Sequence, residues 1–357
     1  MQRHFFPGGN TPNGFYSFYG NAIDVARLHR LFILKGGPGV GKSTLMKRAA
    51  QALMKKGILV EHLHCSSDPE SLDGIVAPAI GLAIVDGTKP HMIDPVLPGA
   101  VDSIVNLGEC LSHEGLKAQR PQIEKLTKDI QGHFQRAYRY LRAAQPLKLD
   151  AQWAISNGCN EAKLVCVTNE MLSALSLPSG LCQNKGHERK LFLSALTPLG
   201  YTNYLDAIGA QTVFELSGPW GAPGERVLSR VRTALIESGE DIEGFYCPMD
   251  PSRLEHIFLP KRALLLTTKS DYLKCLLKPQ RLFNLGAAID YDALNSDKAA
   301  LEYDLHAYSA FIDHALLAIH AAKRDHDKLE EIYIGNMDFK RLKKMQDDVI
   351  KQCISMA

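Results

Sequence analysis

The chain has 357 residues, 45% hydrophobic and 22% charged, with a formal net charge of +2. That length suits about two domains. The small charge gives no strong nucleic-acid signal, and no apolar run approaches the ~20 residues of a membrane span. The start, Met1-Gln2-Arg3-His4-Phe5-Phe6-Pro7, lacks the apolar core of a signal peptide, and the eight cysteines are scattered with no C-x-x-C pair, so reduced thiols and a cytoplasmic location are expected.

In chain order, an N-terminal loop is predicted to lead into a short buried strand, Leu31–Leu34. Then comes Gly36-Gly37-Pro38-Gly39-Val40-Gly41-Lys42-Ser43, which fits the phosphate-binding pattern G-x-x-x-x-G-K-[ST]. Residues Ser43–Lys56 read as a helix ended by Gly57. Glycines let the backbone wrap close, so that successive N–H groups face a polyphosphate, and the helix N-terminus adds free donors and the positive end of a dipole. The expected ligands run from Gly36 through Thr44, with Lys42 reaching the β- and γ-phosphates and the Ser43 hydroxyl holding Mg²⁺.

A second strand is predicted at Leu59–His64, and a short helix beginning at Asp68-Pro69-Glu70, with Asp68 as N-cap and Pro69 in the first turn. A third strand, Leu82–Val85, ends at Asp86, the place for a second Mg²⁺ ligand. Beyond an Asn106-Leu107-Gly108 turn the chain becomes helical, with long amphipathic stretches at 117–145 and 297–334. In the second, Leu301, Leu305, Tyr308, Ile312, Ala315 and Ile319 trace one face, expected to pack in a helical hairpin.

The chain repeats itself. A shift of 182 lays residues 32–86 on 214–268 without a gap, matching Gly36 and Gly39 with Gly218 and Gly221, Glu61 with Glu243, and Cys65, Asp68 and Pro69 with Cys247, Asp250 and Pro251. Upstream, a shift of 186 pairs Arg3 with Arg189; downstream, 178 pairs Asn106-Leu107-Gly108 with Asn284-Leu285-Gly286. The fold class expected is α/β: two tandem modules, 1–178 and 187–357, each a mostly parallel sheet flanked by helices with an added helical hairpin, joined by a linker at 178–187.

The second copy lacks the chemistry. Lys42, Ser43 and Asp86 fall on Gly224, Glu225 and Thr268, a joint loss expected if the three serve one magnesium–phosphate site. His91, which falls on Leu273, is a candidate to position water or sense the γ-phosphate, and Glu70 and Asp73 are further candidates. Arg136, Arg139 and Arg142 read as a solvated helix face or a lid over phosphates. Arg3 is a candidate for contacts between modules, including an arginine finger, while His62 and His64 share a strand face as core or edge histidines. Cys65 and Asp68 persist in the copy and so read as structural.

Through Gly36–Ser43 and Asp86 the chain resembles the P-loop NTPase superfamily. More closely, through Arg3–Thr11, Leu34–Ser43, His64–Pro69 and Ile84–His91, it resembles an uncharacterised bacterial family of tandem P-loop ATPase-like proteins. The resemblance implies an ATPase fold, with one working and one degenerate repeat here. Magnesium and ATP are the expected ligands; ATP is preferred to GTP because the guanine signature Asn-Lys-x-Asp is absent. Slow or partner-stimulated hydrolysis, acting on a protein partner, is the leading expectation. A small-molecule kinase and a non-catalytic nucleotide-sensing scaffold are the alternatives.

Overall fold

A computed structural model describes residues 2–90, 92–177, 184–269 and 277–357. The first half contains β1 (Gln2–Phe5), β2 (Gly8–Thr11), β3 (Gly14–Ser17), α1 (Tyr19–Ala22), β4 (Arg30–Lys35), α2 (Lys42–Lys55), β5 (Val60–Cys65), β6 (Asp68–Ala77), β7 (Leu82–Asp86), β8 (Asp102–Asn106), α3 (His113–Ala118), α4 (Arg120–Asn157) and α5 (Glu161–Leu175). The second half retraces most of this order with β9 (Glu188–Leu191), β10 (Ser194–Thr197), β11 (Gly200–Asn203), β12 (Thr212–Ser217), α6 (Gly224–Glu237), β13 (Ile242–Cys247), β14 (Asp250–Leu259), β15 (Leu264–Thr268), β16 (Arg281–Asn284), α7 (Lys298–Ile334) and α8 (Phe339–Ser355).

Two six-stranded sheets result, in the orders β1-β5-β6-β7-β4-β8 and β9-β13-β14-β15-β12-β16, so the architecture is α/β and compatible with two repeated modules. Each sheet is mixed and, as expected, mostly parallel: five strands run one way and a single strand, β6 or β14, runs against them. The β5-β6-β7 and β13-β14-β15 pairings are antiparallel, whereas the outer pairings of both sheets are parallel. The one opposed strand arises where a helix is expected. Asp68-Pro69-Glu70 starts strand β6, not a helix. The β-branched residues Ile75 and Val76 pair with neighbours on both sides, and sheet burial overrides the local N-cap signal. The predicted N-terminal loop is a strand and a hairpin: β1 joins the sheet edge beside β5, and β2 pairs with β3.

The long helices do not fold back on their own repeats. Tyr308, Ile312, Ala315 and Ile319 of α7 pack against Ala137, Leu141 and Ala144 of α4, so the predicted stripe faces the other repeat's helix. The following helices cross over too. Leu342, Val349 and Cys353 of α8 share a core with Leu45, Met46 and Leu53 of α2. Leu164, Val167 and Met171 of α5 share one with Val227, Leu228 and Val231 of α6.

At the centre, Phe6 and Phe192 exchange both backbone hydrogen bonds (3.0 and 3.1 Å). Parallel register sets Arg3 beside Glu61 and Arg189 beside Glu243. The four side chains then pair across the repeats, Arg3 with both carboxylates and Arg189 likewise, at 2.7 Å for Arg189–Glu61 and 3.1 Å for Arg3–Glu61. Arg3 therefore joins the repeats, as expected, and is not an arginine finger: its guanidinium is spent on this buried quartet.

Candidate functional site

Strand β4, the glycine loop and α2 follow one another as predicted. β4 runs parallel to both β7 and β8, so its C-terminal end, where the loop begins, lies between theirs. Gly41 caps α2 with φ 79°, and Gly39 has φ 68°; both are left-handed conformations that a side chain strains. The Asn106 side chain accepts from the Gly108 N–H (3.1 Å), and the turn it forms lies against Gly36, where an added Cβ would meet the Gly108 nitrogen at 3.1 Å. The second repeat keeps the turn through Asn284 and Gly286 (2.9 Å).

Two of the predicted ligands, Lys42 and Asp86, meet. Lys42 Nζ donates to the carbonyls of Gly36 (2.9 Å) and Gly37 (3.1 Å) and to the Thr88 hydroxyl (3.2 Å), and lies 3.3 Å from Asp86 Oδ2. Thr88 in turn donates its N–H (2.8 Å) and its hydroxyl (2.6 Å) to Asp86 Oδ1. Ser43, in the first turn of α2, accepts the Leu72 N–H at 3.0 Å. That bond uses one lone pair of the hydroxyl and leaves the second for a cation. A hydroxyl and a carboxylate are the hard oxygen donors Mg²⁺ takes, with water and phosphate oxygens completing the octahedron, so Ser43 and Asp86 fit that ion.

Several participants are not evident from local sequence. Thr88 bridges Lys42 and Asp86, and its only signal is its place two residues after Asp86. Asp73, already a candidate from the sequence, is buried and directly precedes Gly74, which pairs with Val85 of β7. Its carboxylate acts on Tyr19, whose phenol is raised well above its usual range by burial and then by Asp73. The second repeat also contributes. Gln346 of α8 donates to the Gly41 carbonyl (3.1 Å), and Glu330 of α7 accepts the Gly39 N–H (3.2 Å). α7 lies directly on the loop: a Cβ on Gly37 would come within 2.7 Å of the Tyr333 ring, and one on Gly39 within 3.0 Å of the Glu330 carbonyl oxygen.

Other candidates are placed elsewhere. His91 lies outside the described residues, as does the predicted linker from 178 to 183. Arg136, Arg139 and Arg142 are exposed on α4, with Arg142 donating to the Pro12 carbonyl at 3.3 Å. No hydrogen bond or ion pair among the described residues takes them to the loop, which favours the solvated face over the lid. Asp68 accepts from the Ser71 hydroxyl (2.9 Å) and lies 3.5 Å from Lys323 of α7. Glu70 is exposed. His62 and His64 join His4 in a ring cluster: His4 lies over His62 at 4.9 Å, and His4 Nδ1 and His64 Nε2 are 2.8 Å apart. Burial, with His4 nearby, pushes His62 down to about 4. Burial likewise brings His64 to about 4.

The second loop cannot imitate the first. An added Cβ at Gly224 would stand 2.8 Å from Thr268 Cγ2, so these two residues close the space that Lys42 and Asp86 share in the first repeat. Glu225 accepts from Ser229 within its own helix (2.6 Å). A groove between α4 and β14, lined by Lys148, Gln152, Asp250 and Arg253, lies beside this loop.

Compared with models of protein families, with characterised proteins and with solved structures, the chain matches none. Among the described residues no helix is long and apolar enough to cross a membrane.

Proposed function

We propose that the first repeat is a P-loop nucleoside triphosphatase site that binds Mg-ATP, and that the second is a degenerate copy that covers and regulates it. The observation that carries this is the convergence of Lys42, Asp86 and Thr88, within 3.3 Å of one another through the lysine, at the mouth of a strand–glycine loop–helix whose first turn holds Ser43. A cation aimed at phosphate oxygens, a carboxylate at the end of the neighbouring strand and a hydroxyl at the helix start are what positioning a magnesium–polyphosphate requires. Lys42 binds and neutralises phosphate, Ser43 and Asp86 hold the ion, and loop N–H groups fix the chain of phosphates.

The covering of the loop by α7, through Tyr333 and Glu330 against Gly37 and Gly39, supports an ATPase or switch that waits on a partner over a small-molecule kinase. Phosphate release with Mg-ATP, compared between wild type and Lys42→Ala, tests the proposal. Turnover or binding lost in the variant supports it. Release that appears only with an added acceptor would favour the kinase, binding without any release the scaffold, and no nucleotide binding by wild type would end the proposal.

A further inference from the structure

The contact between α7 and the loop has a chemistry of its own. Glu330 is an anion placed on a backbone N–H of the phosphate cradle, 3.2 Å from the Gly39 nitrogen. Its side chain is about one-third exposed, and its charged surroundings on α7 are His326, with Nδ1 at 3.8 Å, and further along the same helix Lys323, already paired with Asp68 and Asp327. Among the described residues, the cations near this carboxylate are His326 when protonated and Lys323, which it shares with Asp68 and Asp327; neither is within 3.5 Å of it in an ion pair. What holds it is the donor that a phosphate oxygen would use.

The repeat supplies an independent comparison. The second loop is covered in the same way by α4: a Cβ on Gly221 would meet the Ala151 carbonyl oxygen at 2.9 Å. A shift of 178 lays Glu330 on Gln152. The covering helix is common to both repeats, but the carboxylate occurs only over the loop that keeps Lys42, Ser43 and Asp86. Packing alone would not demand that coincidence; competition with phosphate would.

We infer that Glu330 is a placeholder anion, delivered by the second repeat to the first repeat's phosphate loop, and that a polyphosphate must expel it to bind. This rests on the nucleotide reading above and adds its regulation. Two anions cannot share the Gly39 donor without strong repulsion in a partly buried site. Expulsion loosens α7 from Gly37 and Gly39. α7 also runs along α4 and leads into α8 on α2, so the second repeat registers whether the first is loaded. In energetic terms the ligand discriminates between two seatings of one helix.

The test is titration of the full chain with Mg-ATP, for wild type, Glu330→Gln and Glu331→Gln, the last removing an exposed neighbouring charge on the same helix. Removing the placeholder is expected to tighten binding by on the order of tenfold, about 1.4 kcal/mol, while Glu331→Gln leaves it unchanged. Hydrogen exchange in α7 of wild type is expected to quicken on saturation. Equal affinity in wild type and Glu330→Gln overturns the inference and leaves the nucleotide reading standing. Unchanged affinity with lost turnover would likewise overturn it, assigning Glu330 to the reacting phosphate. No binding by any of the three overturns both. If Glu330→Gln does not fold, Glu330→Asp, with its carboxylate one methylene further back, is expected to bind more tightly than wild type, and equal affinity there overturns the inference.

Discussion

Lys42 and Asp86 are each largely buried, with side chains 12% and 13% exposed, and each is the other's main charge partner. Lys42→Ala leaves the carboxylate with Thr88 alone, and stranding one member of such a pair costs about 3–5 kcal/mol where burial is complete; a loss of about 2 kcal/mol, read from urea midpoints, is expected at this partly hydrated site. Any loss of nucleotide binding must therefore be measured on protein shown to be folded. The histidine cluster makes a second residue-scale prediction. Burial lowers His4, and it brings His62 and His64 to about 4, below the ordinary value of 6.5. Between those limits the unfolded chain binds more protons than the folded one, so stability rises with pH across the window and is level above it. His62 and His64 each contribute a slope of up to about 1.4 kcal/mol per pH unit in that window. Urea midpoints measured from pH 7 to 4 are expected to fall, and to fall less steeply in His64→Gln; identical slopes would mean the cluster titrates normally.

Among the elements, the helices that cross between repeats carry the packing of the site. Leu342 of α8 is 7% exposed and lies in the core that also holds Leu45 and Met46 behind the glycine loop. Leu342→Ala is expected to cost about 2–4 kcal/mol through lost burial and the cavity left behind. It is also expected to raise hydrogen exchange in α2, although the two helices lie far apart in sequence; exchange confined to α8 would contradict the coupling. What was legible in the sequence follows the same divide between local and distant. Strand β4, the loop and α2 could be read because glycine spacing, an apolar run and a helix former are local signals. So could α7, predicted at 297–334 and found at Lys298–Ile334. Strand β6 was not, because Asp68-Pro69 satisfies an N-cap pattern until the sheet on either side claims the segment. Nor was Glu330, which lies 291 residues from Gly39 and has no motif of its own. The partner of the α7 stripe was missed for a related reason: an amphipathic face says that something covers it, not which helix does.

At the scale of the molecule, each repeat borrows its core from the other. α8 completes the core behind the first loop and α5 the core behind the second, while Phe6 and Phe18 of the first half lie in the second half's largest cluster. The quartet of Arg3, Glu61, Arg189 and Glu243 makes four ion pairs, of which Arg3–Glu243 and Arg189–Glu61 join the repeats. Neither half alone can satisfy it: residues 1–177 would keep Arg3 with Glu61 but lose α8 over α2, and would leave the apolar face of α5 uncovered. Buried apolar surface scales with what remains to cover it, so a fragment of 1–177 expressed by itself is expected to lack a cooperative unfolding transition. Mixed with 184–357 it is expected to regain one, with the near-ultraviolet signature of the intact chain. A cooperative, monomeric 1–177 fragment would show that the crossing helices decorate a self-sufficient module. The quartet can be weighed within the intact chain. Arg3→Ala strands Glu243 with Arg189 alone, with an expected loss of about 3 kcal/mol, and adding Glu243→Ala should recover part of it, since the second change removes the unpaired charge left by the first. Strictly additive losses would mean the four charges act independently. Recovery would make the quartet one electrostatic unit through which the two repeats hold one another in register, the arrangement needed if α7 is to sense what the first loop holds.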